Sequence, residues 1–154
     1  MPRFEPASDD YARRTRDSFA RQQIMALLGA EMTRVEPGLV EIELAYRAEL
    51  TQQHGFFHAG ATSTIADSAG GYAAFTLFPA DASVLTAEYK INLLAPASGE
   101  RLRARGTVIK PGRTLTACDL EVYAVQADGT EKLCAKGLQT LATVGSRPDI
   151  AEAG

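Results

Sequence analysis

The residues best equipped for chemistry crowd into one stretch, QQHGFFHAGATSTIADSAGGYAAF, from Gln52 to Phe75. Both histidines of the chain, His54 and His58, stand here four positions apart. A single acid, Asp67, is set among alanines and glycines where a buried helix would prefer an apolar side chain. A lone carboxylate can take a proton from water or attack an electrophile directly. Such a reaction also needs donors for an oxygen that becomes anionic, and a helix N-terminus offers unpaired N–H groups with a favourable dipole. Two histidines and two unclustered cysteines make no zinc set, so chemistry without a metal or cofactor is the expectation.

These groups must be positioned by the elements around them. Ala59 to Ala74 reads as a helix, more than half of it alanine or glycine, and Pro79 stops it. Gly70 and Gly71 each cost a helix about 1 kcal/mol relative to alanine. Close approach of a sheet, another helix or a ligand should compensate. Before this helix, Val40, Ile42 and Leu44 alternate with Glu41 and Glu43, the period of a half-buried strand, after a turn at Glu36-Pro37-Gly38. After it come strand candidates over 84–94, 102–110, 114–126 and 132–144. They are separated by Ala95-Pro96-Ala97-Ser98-Gly99, Pro111-Gly112 and Ala127-Asp128-Gly129-Thr130. Such short connections predict antiparallel neighbours. Upstream, Ser8 or Asp9 is placed to cap a first helix, with acids in its first turn and its end at Gly29. Phe19, Met25, Leu27 and Leu28 give that helix an incomplete apolar stripe, suited to a surface or interface. The architecture predicted is α+β: five or six antiparallel strands wrapped around one central helix, with an extra helix at the N-terminus.

The chain is 154 residues long and reads as one domain over 1–154, with its core at about 19–144 and a frayed tail after Gly145. At 45% hydrophobic and 23% charged it has the composition of a folded protein. Its formal charge of -3, with the signs interspersed, makes no electrostatic case for nucleic acid or an anionic membrane as partner. No apolar run approaches the roughly 20 residues that span a bilayer, and MPRFEPASDDYARRTRD has no signal-peptide core. If the strands holding Cys118 and Cys134 pair across Ala127-Asp128-Gly129-Thr130, Cys118 faces about residue 139. Cys134 then lies roughly 16 Å away, too far for a disulfide. Reduced core thiols in a cytoplasmic protein are expected.

One combination of residues is similar to a known pattern. His58-Ala59-Gly60 is followed after six residues by Asp67, and Gln52 stands six before His58. This resembles the active-site signature of the hotdog-fold thioesterases. The branch most similar contains the phenylacetate-pathway (PaaI-like) enzymes and the 4-hydroxybenzoyl-CoA thioesterase with its acid on the central helix. The resemblance runs from about Phe19 to Val144 and includes LTAEYKINLLAPA and VIKPGRTLTACDLEV. It implies a hotdog fold and hydrolysis of a small aryl- or medium acyl-CoA, with coenzyme A as part of the substrate and no separate cofactor.

The resemblance also implies roles. Asp67 is general base or nucleophile. Ala59 stands where the family has the first glycine of H-G-G, whose backbone N–H polarises the thioester carbonyl. Gln52 lies near the attacked carbon, and Thr86 takes the place of a serine that orients water. His54, His58, Gly60, Ser68 and Phe57 are the substrate-binding candidates, the two histidines chiefly by fixing the loop. Lys90, Lys110, Gly112 and Arg113 would hold coenzyme A phosphates on the outer sheet surface; a solvated strand face accounts for the basic residues equally well. Phe19, Phe56, Phe57 and Tyr72 would line an acyl pocket or pack the core. Gly71 falls where some members have threonine.

A hydratase or dehydratase of the same fold is a rival reading, with His54 and Asp67 as its only plausible pair. A non-catalytic acyl-CoA binder is another. Geometry adds an expectation of its own. Ala59 and Asp67 are eight residues apart, about 12 Å along a helix, whereas reacting atoms must come within about 3–3.5 Å. A two-fold axis that brings Asp67 of one chain to Gln52 and Ala59 of another would close the gap. The expectation is a homodimer with shared sites, assembled as a dimer of dimers.

Overall fold

The computed structural model describes residues 4–145, and the tail beyond Gly145 lies outside them. Its elements are α1 (Tyr11–Ala20), α2 (Gln23–Leu28), β1 (Ala30–Glu36), β2 (Leu39–Ala45), a 3-10 turn (Ala48–Leu50), α3 (Ala59–Phe75), β3 (Ala82–Leu93), β4 (Arg101–Lys110), β5 (Leu115–Val125) and β6 (Glu131–Gly145). The six strands form one antiparallel sheet in the order β1-β2-β4-β5-β6-β3. α3 packs across one face of it, mainly on β2, β4 and β5. This is the hotdog architecture.

Period-two alternation builds the two faces. Val40, Ile42 and Leu44 of β2, Leu102, Ala104 and Val108 of β4, and Cys118, Leu120 and Val122 of β5 point towards α3 and are fully buried. The residues between them carry charge. A ladder of ion pairs crosses four strands on the outer face: Glu41 to Arg105 at 2.7 Å, Arg105 to Glu121 at 3.9 Å, and Glu121 to Lys136 at 3.1 Å. Partly exposed pairs of this kind contribute little each. Their larger effect is on register, because a slip of one residue would press this charge against α3.

The glycine-rich helix is explained by how closely it meets the sheet. A Cβ on Gly106 of β4 would run into the Ala69 carbonyl and the Gly70 nitrogen, so helix and strand touch backbone to backbone. A Cβ on Gly70 would meet Leu120 Cδ2 at 2.6 Å and collide with the side-chain amide of Gln139. Gly71 is different. A Cβ there would be 3.7 Å from Leu141, an ordinary contact, so the core does not require a glycine at that position.

Four details depart from the expectations. The N-terminal helix is two helices, broken at Gln22, which takes an extended backbone (φ -74°, ψ 103°) and accepts a hydrogen bond from Ser68. Its first turn is preceded by Asp10, not Ser8 or Asp9, and contains no acid. Asp10 is engaged by Ser8 and Arg13 instead of capping backbone. β1 is a strand that alternation did not announce, since at the sheet edge it buries only Met32. Finally, β3 and β4 are not neighbours: β3 pairs with β6 and β4 with β2, so residues 94–100 form a crossover. That connection is anchored elsewhere, with the Ala97 carbonyl accepting from Phe57 N–H at 3.0 Å.

The cysteines follow the register expected of them. Cys118 faces Gln139. Both thiols are free and buried, Cys118 donating to the Gly70 carbonyl and Cys134 to that of Val122.

Candidate active site

The N-terminus of α3 is held by the loop in front of it. Gln52 N–H donates to the Phe56 carbonyl at 2.9 Å, and Gly55 N–H to the Gln52 carbonyl at 3.0 Å. Gly55 is the glycine this tight loop demands, with φ +80°, a conformation that side chains rarely adopt. Phe57 is buried, stacked edge-on against Tyr46. His58 N–H donates to the Leu50 carbonyl, and its Nδ1 accepts from Gly60 N–H at 2.7 Å. His58 is therefore the N-cap of α3, the loop-fixing role expected for it.

Capping decides which N–H groups stay available. Gly60 N–H is taken by His58 Nδ1, and those of Ala61 and Thr62 by the His58 carbonyl. Among the described residues, the Ala59 N–H has no partner. It opens into a cavity of about 450 Å³ lined by Gln52, Phe56, Phe57, Leu93 and Pro96, among others. The Gln52 side chain is oriented as well, because its Oε1 accepts from His54 N–H. Its Nε2 is thereby left as a second donor on the cavity that Ala59 also lines. Two donors at a helix N-terminus in an apolar pocket can stabilise an oxyanion.

Asp67 lies further along the same helix and opens into a different hollow. This one, about 100 Å³, is lined by Ser18, Gln22, Asp67, Ser68, Gly71, Tyr72, Val84 and Thr86. The absence of a side chain on Gly71 helps to keep it open. Thr86 Oγ1 donates to Asp67 Oδ1 at 2.7 Å, so the threonine hydroxyl is spent on the carboxylate itself. Gln139 Nε2 donates to the same oxygen at 2.6 Å. Ser68 is turned away to Gln22 Oε1 at 3.0 Å, and the Tyr72 hydroxyl meets Ser18 at 3.0 Å.

The candidate residues thus fall into groups. Gln52, Phe57 and Ala59 share the large cavity, while Asp67, Ser68 and Thr86 share the small one. His54 is exposed and contributes its backbone to fixing Gln52. His58 and Gly60 border a third hollow with Leu50 and Thr64. Lys90 projects from the outer face of β3 into a groove with Glu88, Asn92, Asp119 and Lys136. Lys110, Gly112 and Arg113 are exposed at the β4–β5 turn. That turn and Lys90 are roughly 15 Å apart along the strands. Sequence reasoning passed over Gln139, Gln22 and Ser18. For Gln139 there was a signal: alternation along Ala135, Gly137, Gln139 and Leu141 puts a polar side chain in a row that must be buried.

Comparison with known proteins identifies the family. Residues 54–130 match the model of the thioesterase superfamily. A thioesterase family protein from Silicibacter pomeroyi has a crystal structure that superposes with a TM-score of 0.85 at 52% identity, covering 88% of this chain and 98% of that one. A Saccharolobus solfataricus protein, named provisionally as an esterase, is 33% identical over 78% of this chain and 77% of its own. The PaaI protein of the E. coli phenylacetic acid degradation operon shares the fold, with a TM-score of 0.79 at 19% identity over 91% of this chain and 97% of that one. The chain belongs to the thioesterase superfamily and is a hydrolase.

Proposed function

We propose that the protein hydrolyses the thioester of a small aryl- or medium acyl-CoA to the free acid and coenzyme A, as a homodimer whose two active sites each draw on both chains. The observation that carries this reading is the unpartnered Ala59 N–H on the apolar cavity that Gln52 also lines. A thioester carbonyl placed there would have its oxygen polarised by both donors. Asp67 would take a proton from water as the hydroxide adds to the carbonyl carbon, and the tetrahedral oxyanion would rest on Ala59 and Gln52. Collapse breaks the C–S bond, and the proton held on Asp67 passes to the departing sulfur. Direct attack by Asp67 would instead break the C–S bond, expel the coenzyme A thiolate and form an anhydride, which water then opens to the free acid and the Asp67 carboxylate while a proton released from that water goes to the thiolate. Neither route calls on a metal or cofactor, and activity is expected to survive EDTA unchanged; loss that zinc or another ion restores would overturn this.

The dimer is supported by the sheet edge. β3 is twelve residues long, unpaired along one side among the described residues, and exposed over most of its length. On its inner face Tyr89 and Leu93 are 45% and 56% exposed, although the same face of neighbouring β6 is core. A bare edge of this length invites another strand. Two β3 strands joined about a two-fold axis would continue the sheet and bring each Asp67 towards the partner's Gln52 and Ala59. A dimer of dimers is the assembly we favour. Lys90, Lys110 and Arg113 have no ion pair among the described residues, unlike the cations of the outer-face ladder, and so remain free for coenzyme A phosphates. The buried, unbridged thiols suit the cytoplasm.

The test is thiol release from a panel of acyl-CoAs, run beside the absorbance change for hydration of a crotonyl thioester. Thiol release without hydration is expected. Hydration alone would favour the dehydratase chemistry, and tight binding with neither reaction would make the protein an acyl-CoA binder.

A further inference from the structure

We propose that Gln139 is a positioning residue for the reaction: it pins one oxygen of Asp67, in concert with Thr86, so that the other is the oxygen that reacts. The inference rests on the reading of Asp67 as base or nucleophile. Gln139 is 2% exposed and reaches inward from β6. Its Nε2 has three acceptors around it: Asp67 Oδ1 at 2.6 Å, the Asp67 backbone carbonyl at 3.1 Å and Thr86 Oγ1 at 3.3 Å. All three can only accept here, because the Thr86 proton is already given to Oδ1. The amide can therefore point only one way. With two donors on Oδ1, Asp67 Oδ2 has no partner among the described residues and opens on the hollow that Gly71 leaves clear.

The burial of Gln139 has a cost that packing does not explain. Among the described residues its buried Oε1 has no hydrogen-bond partner, an arrangement that disfavours a glutamine over an apolar residue at a core position. The helix yields as well, since Gly70 is the residue whose missing Cβ leaves room for that oxygen. Two elements thus give up stability around one amide, and the return is a carboxylate held by backbone and side chain together. A side chain free to rotate would offer either oxygen in many orientations, and small misplacements of a reacting atom cost heavily.

The experiment compares wild type with Gln139→Leu, Gln139→Glu, Gly70→Ala and the Gly70→Ala/Gln139→Leu double variant, with Asp67→Asn as reference. For each, kcat and KM are measured across pH together with the melting temperature. In Gln139→Leu, kcat should fall about 10- to 100-fold, the size of a lost hydrogen bond to a charged group. KM should stay within about threefold, since substrate contacts are untouched. The acidic limb of the kcat profile should move to higher pH, and further in Gln139→Glu, where a second carboxylate faces the first. Gly70→Ala, which pushes the amide aside and also presses on Leu120, should reproduce part of the loss in kcat at a lower melting temperature, and the folded double variant should keep a kcat close to that of Gln139→Leu. Should Gln139→Leu not fold, Gln139→Met removes the same donor at the same length. Wild-type kcat and an unmoved acidic limb in a stable Gln139→Leu protein, with Asp67→Asn inactive, would overturn the proposal alone. Activity retained in Asp67→Asn would fault the reading of Asp67 instead. That outcome removes the positioning role too, since Gln139 would then orient an oxygen that does not react, whereas loss of kcat in a folded Gln139→Leu protein beside an inactive Asp67→Asn upholds it.

Discussion

Asp67 combines two conditions that seldom meet in one side chain. It is half-buried on a helix packed against a sheet, yet among the described residues only one of its oxygens is engaged, by Thr86 and Gln139. An asparagine at this position can offer its carbonyl oxygen to both donors and turn its NH₂ to the hollow, so Asp67→Asn should keep the packing. It cannot act as a base or nucleophile. Turnover is expected to fall at least about 1000-fold, a loss of general-base or covalent catalysis, with the melting temperature nearly unchanged. Turnover within threefold of wild type would remove Asp67 from the mechanism. The cysteines stand at the opposite pole. Burial pushes the Cys118 thiol up to about 12, and the thiolate is the reactive form. Native protein at pH 8 should therefore leave Cys118 unlabelled by a thiol reagent over hours, with reaction only after unfolding. Rapid labelling of the native protein would show that this core opens.

Among the elements, α3 carries most of the demands. It must begin at Ala59 with a free N–H, stay slim at Gly70 where the sheet and Gln139 press on it, and present Asp67 two turns on. His58 governs the first of these. Its cap on Gly60 removes one orphan donor while leaving Ala59 exposed to the cavity. His58→Ala should destabilise the protein by about 1 kcal/mol, the usual worth of an N-cap, whereas His58→Asn should recover most of it. Equilibrium urea unfolding measures both. A His58→Ala protein as stable as wild type would mean that the hydrogen bond contributes nothing in solution. The sheet contributes through alternation: its charged ladder keeps the inner rows apolar, and against that apolar background Gln139 stands out.

At the scale of the whole molecule, the two parts of the candidate site lie apart within one chain. Ala59 and Asp67 lie on one unbroken 17-residue helix and open into different cavities. Eight residues of rise put about 12 Å between them. If the site is shared, inactive variants should complement each other. Gln52→Ala and Asp67→Asn are unfolded together and refolded as a mixture. Random pairing makes half the dimers mixed, each with one intact site, so about a quarter of wild-type activity should return. No gain over the parents, with mixed dimers confirmed by mass spectrometry, would assign each site to one chain.

The central helix, the alternating strands and the positions of Ala59 at the start of that helix and Asp67 along it were legible in the sequence because each has a local cause. Period-two and small-residue patterns follow from backbone geometry, and the register of Cys118 with Gln139 follows from counting along a hairpin. The order of the strands was not legible in this way. β3 looked like a neighbour of β4 because the connection is short, but only the packed sheet decides that β3 pairs with β6 at the edge. The break at Gln22 and the role of Gln139 escaped for the same reason. Each is made by a contact between residues far apart in the chain, Gln22 with Ser68 and Gln139 with Asp67 and Thr86. A pattern read along one strand or helix records which face a residue occupies; what it meets there is decided by the element that packs against it.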